Sequence, residues 1–107
     1  MTDKIFKQVV NNQLALCTKT LLAKGEQYAP GDDRLVHFKV AAGIAGTTPK
    51  KALWGMLVKH LTSLQVAVNS SFEYDDDFWN EKIDDSINYL LLLRALAIDE
   101  NAEAENE

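Results

Sequence analysis

Three oxygen-bearing side chains recur at helical spacing in the last third of the sequence. Glu81, Asp85 and Asn88 are separated by four and three residues, so on a helix they share one face over two turns. Mg²⁺ prefers such ligands, with one or two carboxylates and the remaining coordination from water and phosphate. A solvated acidic face is the alternative, because carboxylates near a helix N-terminus stabilise the helix dipole without binding a metal. Asp84 lies off this row and is expected to face water.

Basic side chains form a second group of candidates. Lys59 and His60 interrupt an apolar stretch, and Lys59 is suited to meet a phosphate or the carboxylates of Glu81 and Asp85. A surface lysine whose stem lies along apolar neighbours fits the same pattern. His60 and His37 lie near apolar rows, where histidines are more often packed or hydrogen-bonded than catalytic.

Two charged runs and one cysteine complete the candidates. Lys50 and Lys51 fall in the predicted first turn of a helix, where the dipole disfavours cations. A bound anion, an acidic segment of a neighbouring chain and a tolerated surface position all explain them. The run Asp75–Asp77 is predicted to be solvated. Cys17 lies on an apolar stripe and is predicted to be a core residue.

The elements that must position these side chains are predicted to be four helices in an all-α, bundle-like single domain. Apolar residues recur with a period near 3.6 and no segment alternates as a strand would. The first helix is expected over about residues 2–24, with a stripe facing the core and Gly25 at its end. Asp32 or Asp33 is expected to cap the short second helix.

The third helix has the clearest boundary in the sequence. Thr48 is expected to cap it and Pro49 to occupy its first turn, and its wide apolar surface predicts a largely buried central helix to Asn69. The fourth helix is expected to begin at a cap formed by Asp76 or Asp77 and to end near residue 98. Residues 1–98 then form the domain, and residues 99–107 an acidic disordered tail.

Composition sets the class of protein. The 107 residues carry a net charge of -5, split between +5 over residues 1–72 and -10 over residues 73–107. This balance disfavours direct nucleic-acid binding, although the basic first part leaves a helical nucleic-acid-associated protein as a weaker alternative. No apolar run reaches the roughly 20 residues of a membrane helix, and the N-terminus lacks the pattern of a signal peptide. A cytoplasmic protein with no membrane association is expected.

The order of several short motifs resembles a known group of proteins. Lys24 and Tyr28 are followed by Phe38, by Thr48-Pro49 with Lys59, and by Asp85 with Tyr89. Over about residues 22–98 this series resembles small phage and prophage proteins that are similar to the MazG-like all-α nucleoside triphosphate pyrophosphohydrolases.

The resemblance implies Mg²⁺-dependent hydrolysis of a nucleotide between its α and β phosphates. It assigns the metal to Glu81 and Asp85, charge neutralisation to Lys59, and ligand binding to Asn88, Glu26 and Tyr28. The chain departs from the family because no Asp or Glu occurs between Arg34 and Phe72, so a second acidic pair is missing. The implied site is reduced.

Two functions remain open at this stage. The first is a MazG-like nucleotide-binding protein or hydrolase with a reduced acidic site. The second is a non-enzymatic phage accessory protein that binds a host or phage protein through its acidic C-terminal third. Because the third helix has more apolar surface than one chain of this size covers, and MazG-like proteins build their core between subunits, a homodimer or homotetramer is expected.

Overall fold

The computed structural model describes residues 1–28, 31 and 33–105, except for the side chains of residues 26–28 and 103–105. This part of the chain forms helices and no strand: α1 (Asp3–Tyr28), α2 (Val36–Ala45), α3 (Pro49–Asn69) and α4 (Asp76–Glu105). The predicted all-α fold is confirmed. None of these helices has both the length and the apolar character needed to cross a membrane.

The first helix is longer than predicted. α1 continues through Gly25 to Tyr28, so the expected end at Gly25 is wrong. A glycine ends a helix by taking a positive φ, and among the described glycines only Gly46 does so. The side chain of Arg34 instead lies over Gly25, where a β-carbon would come within 2.7 Å of its Nε atom. Gly25 therefore permits a close approach and does not terminate the helix.

The predicted inner stripe of α1 is buried at one residue. Cys17 is 2% exposed, whereas Phe6, Val10 and Leu14 are each more than a third exposed. α1 packs against α4, where Cys17 contacts Asp84 and Lys24 contacts Asp85. The first half of the helix therefore presents apolar side chains to solvent.

Short-range hydrogen bonds set the limits of α2. The predicted cap at Asp33 is wrong, because the N-cap residue is Leu35 and no side chain caps the helix. Asp33 instead accepts a hydrogen bond from the backbone N–H of Leu35 at 3.0 Å, just before the helix starts. The other candidate cap, Asp32, lies outside the described residues. Gly46 ends α2 in the left-handed conformation, with φ 67° and ψ 39°, which a side chain would strain.

The start of α3 follows the prediction closely. The Thr48 hydroxyl accepts a hydrogen bond from the N–H of Lys51 at 3.3 Å, and Pro49 stands in the first turn. The expectation of a largely buried helix is wrong, because only Leu53, Leu57 and Ala67 are buried. Trp54 is 50% exposed, since α3 is covered by α2 and α4 on part of its surface only.

The boundaries of α4 differ from the prediction at both ends. Asp75, rather than Asp76 or Asp77, caps the helix by accepting a hydrogen bond from the N–H of Phe78 at 2.9 Å. The helix does not end near residue 98, because α4 extends to Glu105. Residues 106 and 107, the end of the predicted tail, lie outside the described residues.

The core lies where α2, α3 and α4 meet. Leu35, Phe38, Leu53 and Leu96 form its buried centre. The partly buried side chains around that centre come from α3 and α4: Met56, Tyr89, Leu92, Leu93 and Ala95. This cluster fixes α2 relative to α4, and α1 packs against α4 through polar as well as apolar contacts.

Candidate ligand cavity

A cavity of about 470 Å³ opens between the end of α1, α2 and α4. Its size lies within the range of small-molecule sites, which are mostly apolar with a few polar groups that orient the ligand. Most of its lining is apolar or aromatic: Leu21, Phe38, Val40, Ala41, Ile44, Met56, Tyr89 and Leu92. The polar lining residues are Lys24, Arg34, His37, Asp85 and Asn88.

The cationic side of the cavity comes from two elements. Lys24 belongs to the last turns of α1, and its side chain is 47% exposed. Arg34 precedes α2 and donates a hydrogen bond from Nη2 to the backbone carbonyl of Leu21 at 3.3 Å. That bond uses part of the guanidinium, which has five N–H donors. Among the described side chains, two permanent cations and one carboxylate, Asp85, therefore line the cavity.

Asp85 stands between two basic side chains. Its Oδ1 lies 3.5 Å from Lys24 Nζ, and its Oδ2 lies 3.7 Å from His60 Nδ1. The His60 ring lies 5.1 Å from that of Tyr89, which also lines the cavity. Both distances to Asp85 are long for an ion pair, and Lys24 is half exposed, so this contact is weak and readily exchanged.

A buried polar group lies beneath the cavity, on the face of α4 that meets α1. Asp84 is 5% exposed and accepts a hydrogen bond from Asn88 Nδ2 at 3.3 Å. The prediction that Asp84 faces water is therefore wrong. Burial, followed by a hydrogen bond to Asp84, raises the pKa of the Cys17 thiol to about 11. Cys17 is a core residue, as predicted, and is a neutral thiol near neutral pH.

Asn88 connects this buried group to the cavity. The residue is 4% exposed and lines the cavity, and its Oδ1 has no hydrogen-bond partner within the described part of the chain. An unsatisfied buried carbonyl oxygen is costly, and because Oδ1 has almost no exposed surface, a ligand in the cavity reaches it only if the Asn88 side chain moves.

The predicted site residues divide into two groups. Asp85 and Asn88 line the cavity, whereas Glu81 and Lys59 are exposed and do not. The side chains of Glu26 and Tyr28 lie outside the described residues. Within the described part of the chain, no three His, Cys, Asp or Glu side chains come together as a metal-binding group.

Sequence reasoning missed Arg34 and His37 as lining residues. Arg34 was visible only as a charge immediately before an apolar helix, and His37 as a lone histidine near apolar residues. Their position depends on how α2 folds back over the end of α1, which no local pattern specifies. Four of the residues on which the resemblance to MazG-like proteins is based lie together in the cavity lining: Lys24, Phe38, Asp85 and Tyr89.

The acidic end of α4 is paired within the chain. Lys39 on α2 contacts Asp33 at 2.7 Å and Asp99 at 3.0 Å. The hydrogen bond from Lys39, followed by that from the Leu35 N–H, lowers the pKa of the Asp33 carboxyl below its usual value. Hydrogen bonds to Asp33 and then Asp99 raise the pKa of Lys39.

Lys50, in the first turn of α3, has an acidic partner on α4. Lys50 contacts Glu100 at 2.9 Å. The acidic partner of Lys50 therefore belongs to its own chain and not to a neighbouring chain. Lys51 is exposed.

No model of a known protein family matches the chain, and neither a curated protein nor a solved structure matches it.

Proposed function

We propose that the cavity between α1, α2 and α4 binds a nucleotide. The supporting observation is the composition of the lining, which combines two cations, two aromatic rings and apolar side chains in about 470 Å³. Lys24 and Arg34 suit a phosphate group, and the rings of Phe38 and Tyr89 suit a planar base. A cytoplasmic, phage-type protein belongs to the same proposal, because free nucleotides are cytoplasmic and the resemblance is to phage proteins.

Two features of the polar lining support a ligand of this chemistry. The Lys24–Asp85 contact at 3.5 Å is weak, so a phosphate that draws Lys24 away loses little. The Oδ1 of Asn88, which has no partner within the described part of the chain, suits a hydrogen-bond donor such as a sugar hydroxyl or an exocyclic amine once the side chain turns towards the cavity.

Hydrolysis of the bound nucleotide is a second proposal, favoured by Asp85 in the lining. The donor set fits Mg²⁺ only together with a nucleotide, since among the described side chains Asp85 is the carboxylate of the lining and Glu81 lies outside it. A bound Mg²⁺ would polarise the phosphate and neutralise its charge. The contribution of the chain itself is to orient the phosphates with Lys24 and Arg34 and to exclude water with the apolar wall.

The accessory-protein alternative receives less support. It assigns partner binding to the acidic C-terminal third, yet Asp99 and Glu100 contact Lys39 and Lys50 of the same chain. An external partner would have to compete with these contacts. We therefore prefer the nucleotide proposal.

The nucleotide proposal predicts a specific effect of Lys24→Gln. Loss of a charge-assisted contact to phosphate costs about 1.5–3 kcal/mol, so the Kd for a nucleoside triphosphate should rise by about tenfold to a hundredfold. Isothermal titration calorimetry with each of the common nucleoside triphosphates measures the change. Lys51→Gln is the matched control, because Lys51 is exposed and outside the lining. Absence of binding by the wild type, with and without Mg²⁺, would overturn the proposal.

The hydrolysis proposal predicts different effects of two acid-to-amide changes. Asp85→Asn should abolish Mg²⁺-dependent pyrophosphate release, because Asp85 is the carboxylate that lines the cavity among the described side chains. Glu81→Gln should retain most of the activity, because Glu81 is exposed outside it. Pyrophosphate release is measured by a coupled phosphate assay. Nucleotide binding without turnover would remove the hydrolysis proposal and leave the binding proposal intact.

A further inference from the structure

The first half of α1 is an exposed helix that carries several large apolar side chains. All of residues 1–12 are exposed, and the first buried residue of α1 is Cys17. Five large apolar residues in this half are each at least 38% exposed, and together they form what we call the α1 stripe: Ile5, Phe6, Val9, Val10 and Leu14. The stripe contains no charged residue.

This half of α1 is also a poor helix on its intrinsic preferences. Ile5, Val9 and Val10 are β-branched, and Asn11 and Asn12 favour turns and caps. The local support consists of a hydrogen bond from the Ile5 N–H to the Thr2 hydroxyl and an exposed Lys7–Asp3 ion pair, which are small contributions. Isolated helices of this length are marginal in water, so tertiary contacts must stabilise the segment.

The overall dimensions lead to the same conclusion. A folded monomer of 12.0 kDa exposes about 6,000 Å², whereas this chain exposes 7811 Å². Its radius of gyration is 16.3 Å, compared with about 13 Å for a compact domain of this length. The excess surface is about 1,800 Å² per chain.

We propose that a second copy of this chain covers the α1 stripe, forming a two-fold symmetric homodimer. Burial of the excess by two identical chains gives an interface of about 3,600 Å², which is in the range of obligate homodimers. In such a dimer each protomer buries the same patch, so the stripe of both chains is covered at once. Charge does not oppose the pairing, since Lys4, Lys7 and Asp3 leave this half of α1 with a charge of only +1.

The test is sedimentation equilibrium on the full chain over a wide range of concentration. The wild type is expected to sediment at twice the chain mass of 12.0 kDa. The double change Phe6→Glu and Val10→Glu places two like charges on the stripe and should raise the dimer Kd by roughly a hundredfold or more. Ile98→Glu is the matched control, because Ile98 is 52% exposed near the end of α4, next to Asp99, which contacts α2 and not α1, and should leave the dimer unchanged.

Three outcomes would overturn the proposal. They are a monomeric wild type at every concentration, a double variant that dimerises like the wild type, and a control that dissociates to the same extent. Circular dichroism monitors folding of each variant. If the double Glu variant loses its helices beyond α1, the milder change Phe6→Ser with Val10→Ser decides the question by the same measurement. The single change Phe6→Leu keeps the stripe apolar and should sediment with the same dimer mass as the wild type.

Discussion

At the residue scale, the least expected feature is the polar group at the α1–α4 contact. Asp84, Asn88 and Cys17 are each at most 5% exposed, so this contact is built partly from groups that normally face water. The hydrogen bond between Asn88 and Asp84 offsets part of the cost of burying them. The periodicity of α4 placed Asp84 off the presumed functional face, but it carries no information on which face α1 covers. Burial of Asp84 therefore could not be predicted from sequence.

The Cys17 environment predicts slow alkylation of the native protein. Burial and the hydrogen bond to Asp84 raise the thiol pKa from 9.0 to about 11. The native thiolate fraction at pH 8 is therefore about a hundredfold smaller than in urea, and iodoacetamide labelling should be slower by at least that factor. Mass spectrometry measures both rates. A cysteine at exposed position 68, placed in a Cys17→Ser background, should react rapidly in the native state; a fast native reaction of Cys17 would contradict the prediction.

The raised pKa of the Cys17 thiol also sets the direction in which the free energy of unfolding changes with pH. The folded state holds the proton of Cys17 more tightly than the unfolded state, because its pKa is the higher one. The resulting stabilisation is complete below pH 9.0 and is lost as the pH rises towards about 11. Cys17→Ser removes this dependence.

At the element scale, local signals predicted where helices begin better than where they end. The Thr48-Pro49 start of α3 was predictable because its hydrogen bond spans three residues. The ends of α1 and α4 were not predictable, because side chains distant in sequence contact these parts of the helices. Arg34 donates a hydrogen bond to the Leu21 carbonyl near the end of α1, and Lys39 contacts Asp99 near the end of α4. The four helices and their order thus follow from sequence, whereas the cavity depends on tertiary packing.

The cap of α4 gives a prediction at this scale. Asp75→Ala removes the side-chain acceptor of the Phe78 N–H and should lower the free energy of unfolding by about 1 kcal/mol. Asp77→Ala is the control, since Asp77 only interacts with the helix dipole and should cost a few tenths of a kcal/mol. Urea denaturation followed by circular dichroism measures both changes. A larger loss for Asp77→Ala would place the cap where the sequence alone had suggested.

At the scale of the whole molecule, ion pairs connect the basic first part of the chain to its acidic last part. The chain is basic over residues 1–72 and acidic beyond, and Asp99 and Glu100 meet Lys39 and Lys50 from the basic part. The sum of charges indicated the asymmetry but not this pairing. Part of the acidic segment is therefore internally neutralised and holds α4 against α2 and α3.

Truncation of the chain tests this arrangement. Removal of residues 99–107 deletes both ion pairs, whereas removal of residues 101–107 keeps them. Each pair is partly exposed and contributes about 0.5 kcal/mol, so the longer truncation should be less stable by about 1 kcal/mol at low salt. The difference should shrink at about 1 M NaCl, because salt screens such pairs. Equal urea midpoints for the two truncations at low salt would contradict the assignment.

The close approach of Arg34 to Gly25 also bears on how this sequence tolerates change. A β-carbon at residue 25 would lie 2.7 Å from Nε, so any larger side chain obliges the guanidinium to move. The guanidinium is the tip of a flexible side chain, and its displacement costs the fold little. It would nevertheless remove a cation from the cavity wall. A substitution at residue 25 is therefore expected to change the charge of the cavity wall more than the stability of the fold.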